Sequence, residues 1–237
     1  MQYRRRRIIV AIVSLLVVGF GFWRSGEFDT VVTTYTPAVV GTTTVSNNSQ
    51  NANTLLDTLA VKGRAPKTDY ARTQFGDGWQ TLNGCDTRND ILHRDLKNVV
   101  TDDSCKVISG ELNDPYTGKV INFERGSSTS GAVQIDHVVA LSNAWQTGAQ
   151  QLTPAVRIEL ANDPLELLAV DGPANQAKSD GDAATWLPSN KAFRCQYVAR
   201  QIAVKAKYKL WVTAPEKSAI QNVLAKCPDQ LVPAGSI

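Results

Sequence analysis

Two stretches decide the fold: Val133-Gln-Ile-Asp-His-Val-Val-Ala-Leu141 and Leu165-Glu-Leu-Leu-Ala-Val-Asp-Gly-Pro-Ala-Asn-Gln-Ala-Lys178. The first is an apolar run with an Asp-His pair set inside it, and it reads as a strand. The second opens with a short strand at 165–170, breaks at Asp171-Gly-Pro173, and continues from Ala174 to Asp180 as a helix. Side chains alternate along a strand, so Asp136 and His137 ordinarily face opposite ways. At a strand end or a turn both can reach one site. There a carboxylate binds a hard cation, while a neutral imidazole takes a proton from water. An Asp-His pair alone is a weak signal. A hairpin that carries it, followed by a helix that carries Asn175 and Lys178, is a stronger one.

Moving outward, Lys106–Leu112 and Lys119–Phe123 are short alternating runs separated by Asn113-Asp-Pro-Tyr-Thr-Gly118, which reads as a β-hairpin with a long turn. A helix is expected over Arg88 to Lys97, and a short one near Thr54 with Leu55, Leu56 and Leu59 on one side. Residues from Ser189 to Tyr208 contain neither Gly nor Pro and suit another helix. Thr213-Ala-Pro-Glu216 then has the form of a capping box with Pro in the first turn, starting a helix to about Lys226. If the last two helices form an antiparallel hairpin turning near Trp211, Cys195 and Cys227 lie level and can bridge. The other two cysteines, Cys85 and Cys105, would close a loop worth about 3 kcal/mol in the chain-entropy model. An even cysteine count without a Cys-x-x-Cys pair argues for disulfides over zinc.

The compartment is read from the N-terminus. Arg4 to Arg7 precede an apolar run from Ile8 to Trp23, the pattern of a signal peptide or an uncleaved signal anchor. The run is slightly short of the ~20 residues that usually cross hydrocarbon. Bulky Phe20 stands in the one candidate cleavage site, which favours an anchor. Arginines stay in the cytoplasm, so the rest of the chain is placed outside, at the cell surface, or secreted if the segment is cut. The expected organisation is a basic flank at 1–7, an anchor or signal at 8–24, a flexible Thr/Ser/Asn-rich stalk at 25–53 and one domain at 54–237. The whole chain of 237 residues carries +3, yet five arginines fall within 1–24, where there is no acid. The remainder has 20 Lys and Arg against 22 Asp and Glu, a net of −2. One local cluster departs from this: Lys191, Arg194, Arg200, Lys205, Lys207, Lys209 and Lys217 face Glu216 alone in sequence, a patch able to track a phosphate backbone.

With only His93 and His137 in the chain, three-histidine zinc sites are excluded. His93 lies in a charged helical stretch and reads as a surface residue. Three further stretches join the two quoted first: Gly84-Cys-Asp-Thr-Arg-Asn-Asp-Ile-Leu-His-Arg-Asp-Leu96, Asp114-Pro-Tyr-Thr-Gly-Lys119 and Ile135-Asp-His-Val-Val-Ala-Leu-Ser-Asn-Ala-Trp145. Together they resemble the HNH endonucleases of the ββα-metal class, and within it the exported HNH-family proteins of bacteria. The resemblance covers roughly Leu55 to Cys227. It implies an α+β domain with a ββα-metal core at about 118–185, braced by a disulfide-tied N-terminal segment and a C-terminal helical hairpin. It further implies that His137 is the general base, and that Asp136 and Asn175 bind one divalent cation, magnesium or manganese. The substrate would be DNA, with RNA also open, and hydrolysis would show little sequence preference.

Phosphodiester hydrolysis needs an aligned nucleophile and relief of charge on the phosphate, and a neutral histidine with a bound cation supplies both. Lys178, one turn beyond Asn175, would point the same way, towards phosphate. Arg72 and Arg88 can hold phosphates or structural carboxylates. The second strand departs from the family pattern: where an Asn often stands, this chain has Glu166, which can steady the loop carrying the base or add a metal ligand. Asn162 is a second candidate for that supporting role. Glu166 also favours a competing reading, a surface nucleic-acid-binding protein with a nuclease-like fold and no catalysis. An enzyme acting on cell-wall polymers lacks a paired-carboxylate site and ranks last.

Overall fold

The computed structural model describes residues 50–233 except Asn83. The flank and the anchor or signal segment lie outside the described residues, as does the stalk up to residue 49. Asn51 caps helix α1 (Ala52–Thr58), its side-chain oxygen accepting from the backbone of Asn53 and Thr54. A 3-10 turn at Arg72–Phe75 leads through Gly76 and Gly78, both at positive φ, to Trp79. A small antiparallel pair follows, β1 (Thr81–Leu82) with β2 (Cys85–Asp86). Asp86 accepts from the Asn89 N–H and so starts α2 (Thr87–Asp95), which runs directly into β3 (Leu96–Thr101). With β4 (Val107–Asn113) and β5 (Val120–Glu124) this forms a three-stranded antiparallel sheet in chain order.

The central unit comes next. It comprises β6 (Val133–His137), α3 (Leu141–Gln146), α4 (Pro154–Asn162), β7 (Leu167–Asp171) and α5 (Gly172–Lys178). β6 and β7 pair antiparallel, Val133 opposite Asp171 and His137 opposite Leu167, and α5 follows without a gap. The chain closes with α6 (Arg194–Lys207) and α7 (Ala214–Leu224). Among the described residues no helix is long and apolar enough to cross a membrane.

Why β7 is apolar on both sides follows from the two cores. Leu168 and Val170 join the larger cluster, with Leu56, Tyr197, Ile202 and Leu224. Leu167 and Ala169, together with Val133 and Ile135 of β6, join a smaller one with Ile91, Leu92 and Phe123. A strand buried on both faces reads as a continuous apolar run, and Leu167-Leu-Ala-Val170 does. The two disulfides tie the ends of this arrangement: Cys85–Cys105 bridges β2 to the β3–β4 turn, and Cys195–Cys227 bridges α6 to the segment after α7. The α7 capping box forms as read, Thr213 and Glu216 exchanging side-chain and backbone bonds.

Two expectations are corrected. The first apolar run is a strand only to His137; Val138–Ala140 turn, and Leu141 onwards becomes α3 rather than more strand. The Val138 N–H makes one last in-register bond to the Glu166 carbonyl, but the return bond is lost: the Val138 carbonyl accepts from Gln201 and the Glu166 N–H donates to the Asp163 carbonyl, so the ladder goes no further. Helix α4 was not anticipated, although Thr153 before Pro154 is the usual cap-and-first-turn pattern, and its side chain accepts from Val156.

Candidate functional site

His137 is the last residue of β6 and is buried. Its Nε2 lies 3.0 Å from the Ala161 carbonyl at the end of α4. A carbonyl only accepts, so this bond requires Nε2 to carry the proton and leaves Nδ1 with a lone pair. The indole of Trp79 lies nearly parallel to the imidazole, with centroids 5.6 Å apart and 7° between planes. Burial, then the nearby Arg72 guanidinium, lowers the His137 pKa to about 3, with Lys178 adding to the effect against the Ala161 bond. The imidazole is therefore neutral at physiological pH, the form a base must have.

Asp136, one residue earlier, faces the other side of the strand. Its Oδ1 accepts from Lys178 Nζ at 2.9 Å and its Oδ2 accepts from the Tyr116 hydroxyl. Lys178, whose side chain is wholly buried, also donates to the His137 carbonyl at 2.7 Å. Burial pushes the Asp136 carboxyl upward, against the pull of Lys178 and Tyr116. Tyr116 is itself pushed well above the ordinary phenol value by burial and by Asp136, so it remains a donor. Asn175, at the middle of α5, donates from Nδ2 to Gln134 Oε1 at 3.0 Å, which leaves its oxygen for a ligand.

A cleft of about 690 Å³ opens over these groups, lined by Asp136, His137, Asn175 and Gln134, with Arg72, Arg88 and Lys67 on its walls. Arg72 is exposed, while Arg88 is half-buried and donates to the Val133 carbonyl. Burial and the neighbouring Arg125 lower the Arg88 pKa. Asp180, 3.5 Å from Lys67, is the other acid on the rim. The sequence-selected Asp136, His137, Asn175, Arg72 and Arg88 thus share one cleft. Lys178 departs from its expected role: its ammonium is directed at Asp136 beneath the cleft, not at a phosphate.

A divalent cation can be tested against these donors. Asp136 and Asn175 offer hard oxygens, as magnesium or manganese prefers. Among the described residues there is no group of three or more His, Cys, Asp or Glu, so these two would be the protein ligands, with water and phosphate oxygens completing the shell. The donor set fits a hydrated ion on one condition: Asp136, whose two oxygens accept from Lys178 and Tyr116, must share or exchange one of those contacts.

The supporting residues lie around the turn that follows His137. Glu166 is fully buried; its Oε2 accepts from the Val139 N–H at 3.2 Å, and Oε1 has no partner among the described residues. It holds the turn and lies off the cleft lining. Burial pushes its carboxyl well above the ordinary range. Asn162 works on the opposite flank, its Oδ1 accepting from Gln80 N–H and from Thr87 Oγ1, each at 2.9 Å. Sequence reasoning missed Trp79 and Tyr116 as neighbours of the site; Tyr116 stood within a quoted motif, whereas a lone tryptophan after Gly78 carried no signal. His93 is exposed, as expected. The basic cluster at 191–217 is largely tied down on folding, with Lys191 and Lys209 left exposed. Lys205 pairs with Glu216, Lys207 with Asp163 and Lys217 with Asp57. Arg194 and Arg200 donate to the carbonyls of Pro188 and Leu165.

Comparison with known proteins adds two findings. Residues 86–223 match the family described as GmrSD restriction endonucleases, C-terminal domain. A protein of Arthroderma benhamiae named "Uncharacterized secreted protein" is 39% identical over 195 residues, covering 81% of this chain and 92% of that protein. No solved structure matches the chain.

Proposed function

The chain belongs to the family of the GmrSD restriction endonuclease C-terminal domain, and on that premise we propose that it is an exported HNH-type endonuclease that hydrolyses DNA phosphodiesters with His137 as general base. The observation carrying this reading is a neutral imidazole whose Nε2 is committed to Ala161 and whose Nδ1 is left as an acceptor beside an arginine-walled cleft. Arg72 and Arg88 hold the phosphate and orient phosphorus towards a water on Nδ1. Nδ1 takes the water proton, the oxygen bonds to phosphorus, and the bond to the leaving oxygen breaks, that oxygen being protonated from solvent. The negative phosphate offsets Arg72 and strengthens a base that burial has weakened. Asp136 and Asn175 would hold magnesium or manganese, which when bound relieves charge on the phosphate and the leaving oxygen.

RNA is a second substrate open to the same chemistry. Two disulfides suit an oxidising compartment, and the relative named as secreted supports export. The segment at 8–24 then serves as a signal or as an anchor. His137→Ala should abolish nicking of plasmid DNA with the circular-dichroism spectrum unchanged; undiminished cleavage by that variant would remove His137 as the base. One observation favours a second reading, a nucleic-acid-binding protein without catalysis: Lys178 already occupies Asp136. Chelator separates them. A nuclease loses cleavage in EDTA and regains it with magnesium or manganese, whereas a binding protein associates with DNA regardless.

A further inference from the structure

Beyond the hairpin and its helix, two elements close on the His137 ring, and a single side chain joins them. Ala161, at the end of α4, supplies the carbonyl that bonds Nε2. Trp79, on the segment before β1, supplies the flat ring stacked on the imidazole. Asn162 is the neighbour of the first, and it accepts from the backbone N–H of Gln80, the neighbour of the second. The same oxygen accepts from the Thr87 hydroxyl, while the Thr87 N–H donates to the Gln80 carbonyl. Asn162 Nδ2 is anchored one turn back on the Ile158 carbonyl, so the side chain cannot swing.

Trp79 is not placed as a stacking platform for a base. It lies against the imidazole and also packs against the smaller apolar cluster of Ile91, Leu92 and Phe123. Its free perimeter faces a slot of about 180 Å³ shared with Arg72, Gly76 and Gly78. An offset parallel pair at this separation restricts ring rotation, and a carbonyl at one nitrogen selects the tautomer.

We propose that Trp79 and Asn162 are positioning residues for the base: Trp79 fixes the plane of the His137 ring, and Asn162 ties Trp79 to the Ala161 carbonyl so that plane and tautomer are set together. This rests on His137 being the base, yet it can be read without any cleavage. The full chain, with its disulfides formed and its histidines labelled with nitrogen-15, has two imidazoles, and exposed His93 serves as an internal reference. At pH 7 the wild type should show His137 almost entirely as the Nε2–H tautomer.

Trp79→Leu, which fills similar space without a flat ring, and Asn162→Ala should each give a mixture of tautomers. Each should lower kcat about 10- to 100-fold with KM within twofold, since near-attack geometry and not substrate affinity is lost. Trp79→Phe should recover most of kcat and the single tautomer. Should Trp79→Leu fail to fold, Asn162→Ala carries the same expectation. A single tautomer retained in the variants overturns the proposal, as does a kcat loss that Trp79→Phe does not repair. If His137→Ala cuts like wild type, the base assignment falls instead, and the tautomer measurement still decides whether Trp79 and Asn162 order the ring.

Discussion

Glu166 stands where sequence reasoning found its departure from the family pattern, and the structure gives it a job that an amide could share, holding the Val139 N–H. The price of the carboxyl is a dependence on pH. Its pKa is raised by burial, so the folded state keeps a proton that the unfolded chain releases above the ordinary value of 4.5. Stability from this group is fully present below 4.5 and is lost as pH rises towards the folded pKa. His137 acts in the opposite sense: with the folded pKa lowered to about 3 from 6.5, its contribution is intact above 6.5 and is lost as pH falls towards 3. Between 4.5 and 6.5 the His137 slope opposes that of Glu166, which the raised Asp136 carboxyl joins, each up to about 1.4 kcal/mol per pH unit. Urea unfolding at stepped pH should therefore show no net gain there and a decline above it. Glu166→Gln should flatten the decline on the alkaline side; an identical alkaline decline in that variant would mean another group causes it. A second residue-scale expectation concerns Lys178. Lys178→Met leaves Asp136 buried beside Tyr116 alone and should cost about 3–5 kcal/mol in the same measurement at pH 7. Asp136 and His137 were legible as a pair because they are adjacent. The Lys178–Asp136–Tyr116 contact was not, since it joins segments 20 and 42 residues away from Asp136.

At the scale of elements, the hairpin, α5, the β4–β5 pair, the capping box and the C-terminal helices were readable from local chemistry, because each is signalled by periodicity or by a cap within a few residues. What local signals could not give was the point at which β6 stops. That boundary is set by Gln201 of α6 and by the Asp163–Glu166 turn before β7, which take the Val138 carbonyl and the Glu166 N–H out of the ladder. Helix α4, which supplies the Ala161 carbonyl, escaped for a different reason: its buried face mixes Arg157 and Asn162 with Leu160 and Ala161, so no clean apolar stripe marks it. The close seating of α5 on the hairpin gives a sharp test. A Cβ added at Gly172 would come within 2.1 Å of the Gly131 carbonyl oxygen, a backbone atom that has little room to yield. Gly172→Ala should lower stability by about 1–3 kcal/mol and weaken cleavage by displacing Asn175, as chemical denaturation and nicking assays can measure. The brace at the far end is covalent. Cys195 and Cys227 close a separation of 32 residues, and replacing both with Ser should cost about 3–4 kcal/mol by the chain-entropy estimate, read as a shift in the denaturant midpoint.

For the molecule as a whole, charge decides how nucleic acid is met. The sequence offered two sources of positive potential, the N-terminal arginines and the 191–217 cluster, and folding thins the second: three of its seven members pair with Glu216, Asp163 and Asp57, and Arg194 and Arg200 are tied to carbonyls, while Lys191 and Lys209 stay exposed. A run of lysines in sequence is a patch only if the fold leaves their charges unpaired, which no spacing rule reports. What remains at the site is a small set: Lys67, Arg72 and Arg88 on the cleft, with Lys67 partly offset by Asp180. A footprint of about three phosphate contacts gives a slope of log affinity against log salt of about −3, modest beside the steep dependence of a protein with a long basic groove. The measurement is fluorescence anisotropy on duplex DNA with residues 46–237 of the His137→Ala variant, which binds without cutting and omits the N-terminal arginines. Arg72→Ala in that background should reduce the slope by about 0.9 and weaken binding equally across sequences, because a phosphate contact carries no base information. A slope of about −5 or steeper would place the binding face outside the cleft. An unchanged slope in Arg72→Ala would release that arginine from phosphate and leave it one role, lowering the pKa of His137.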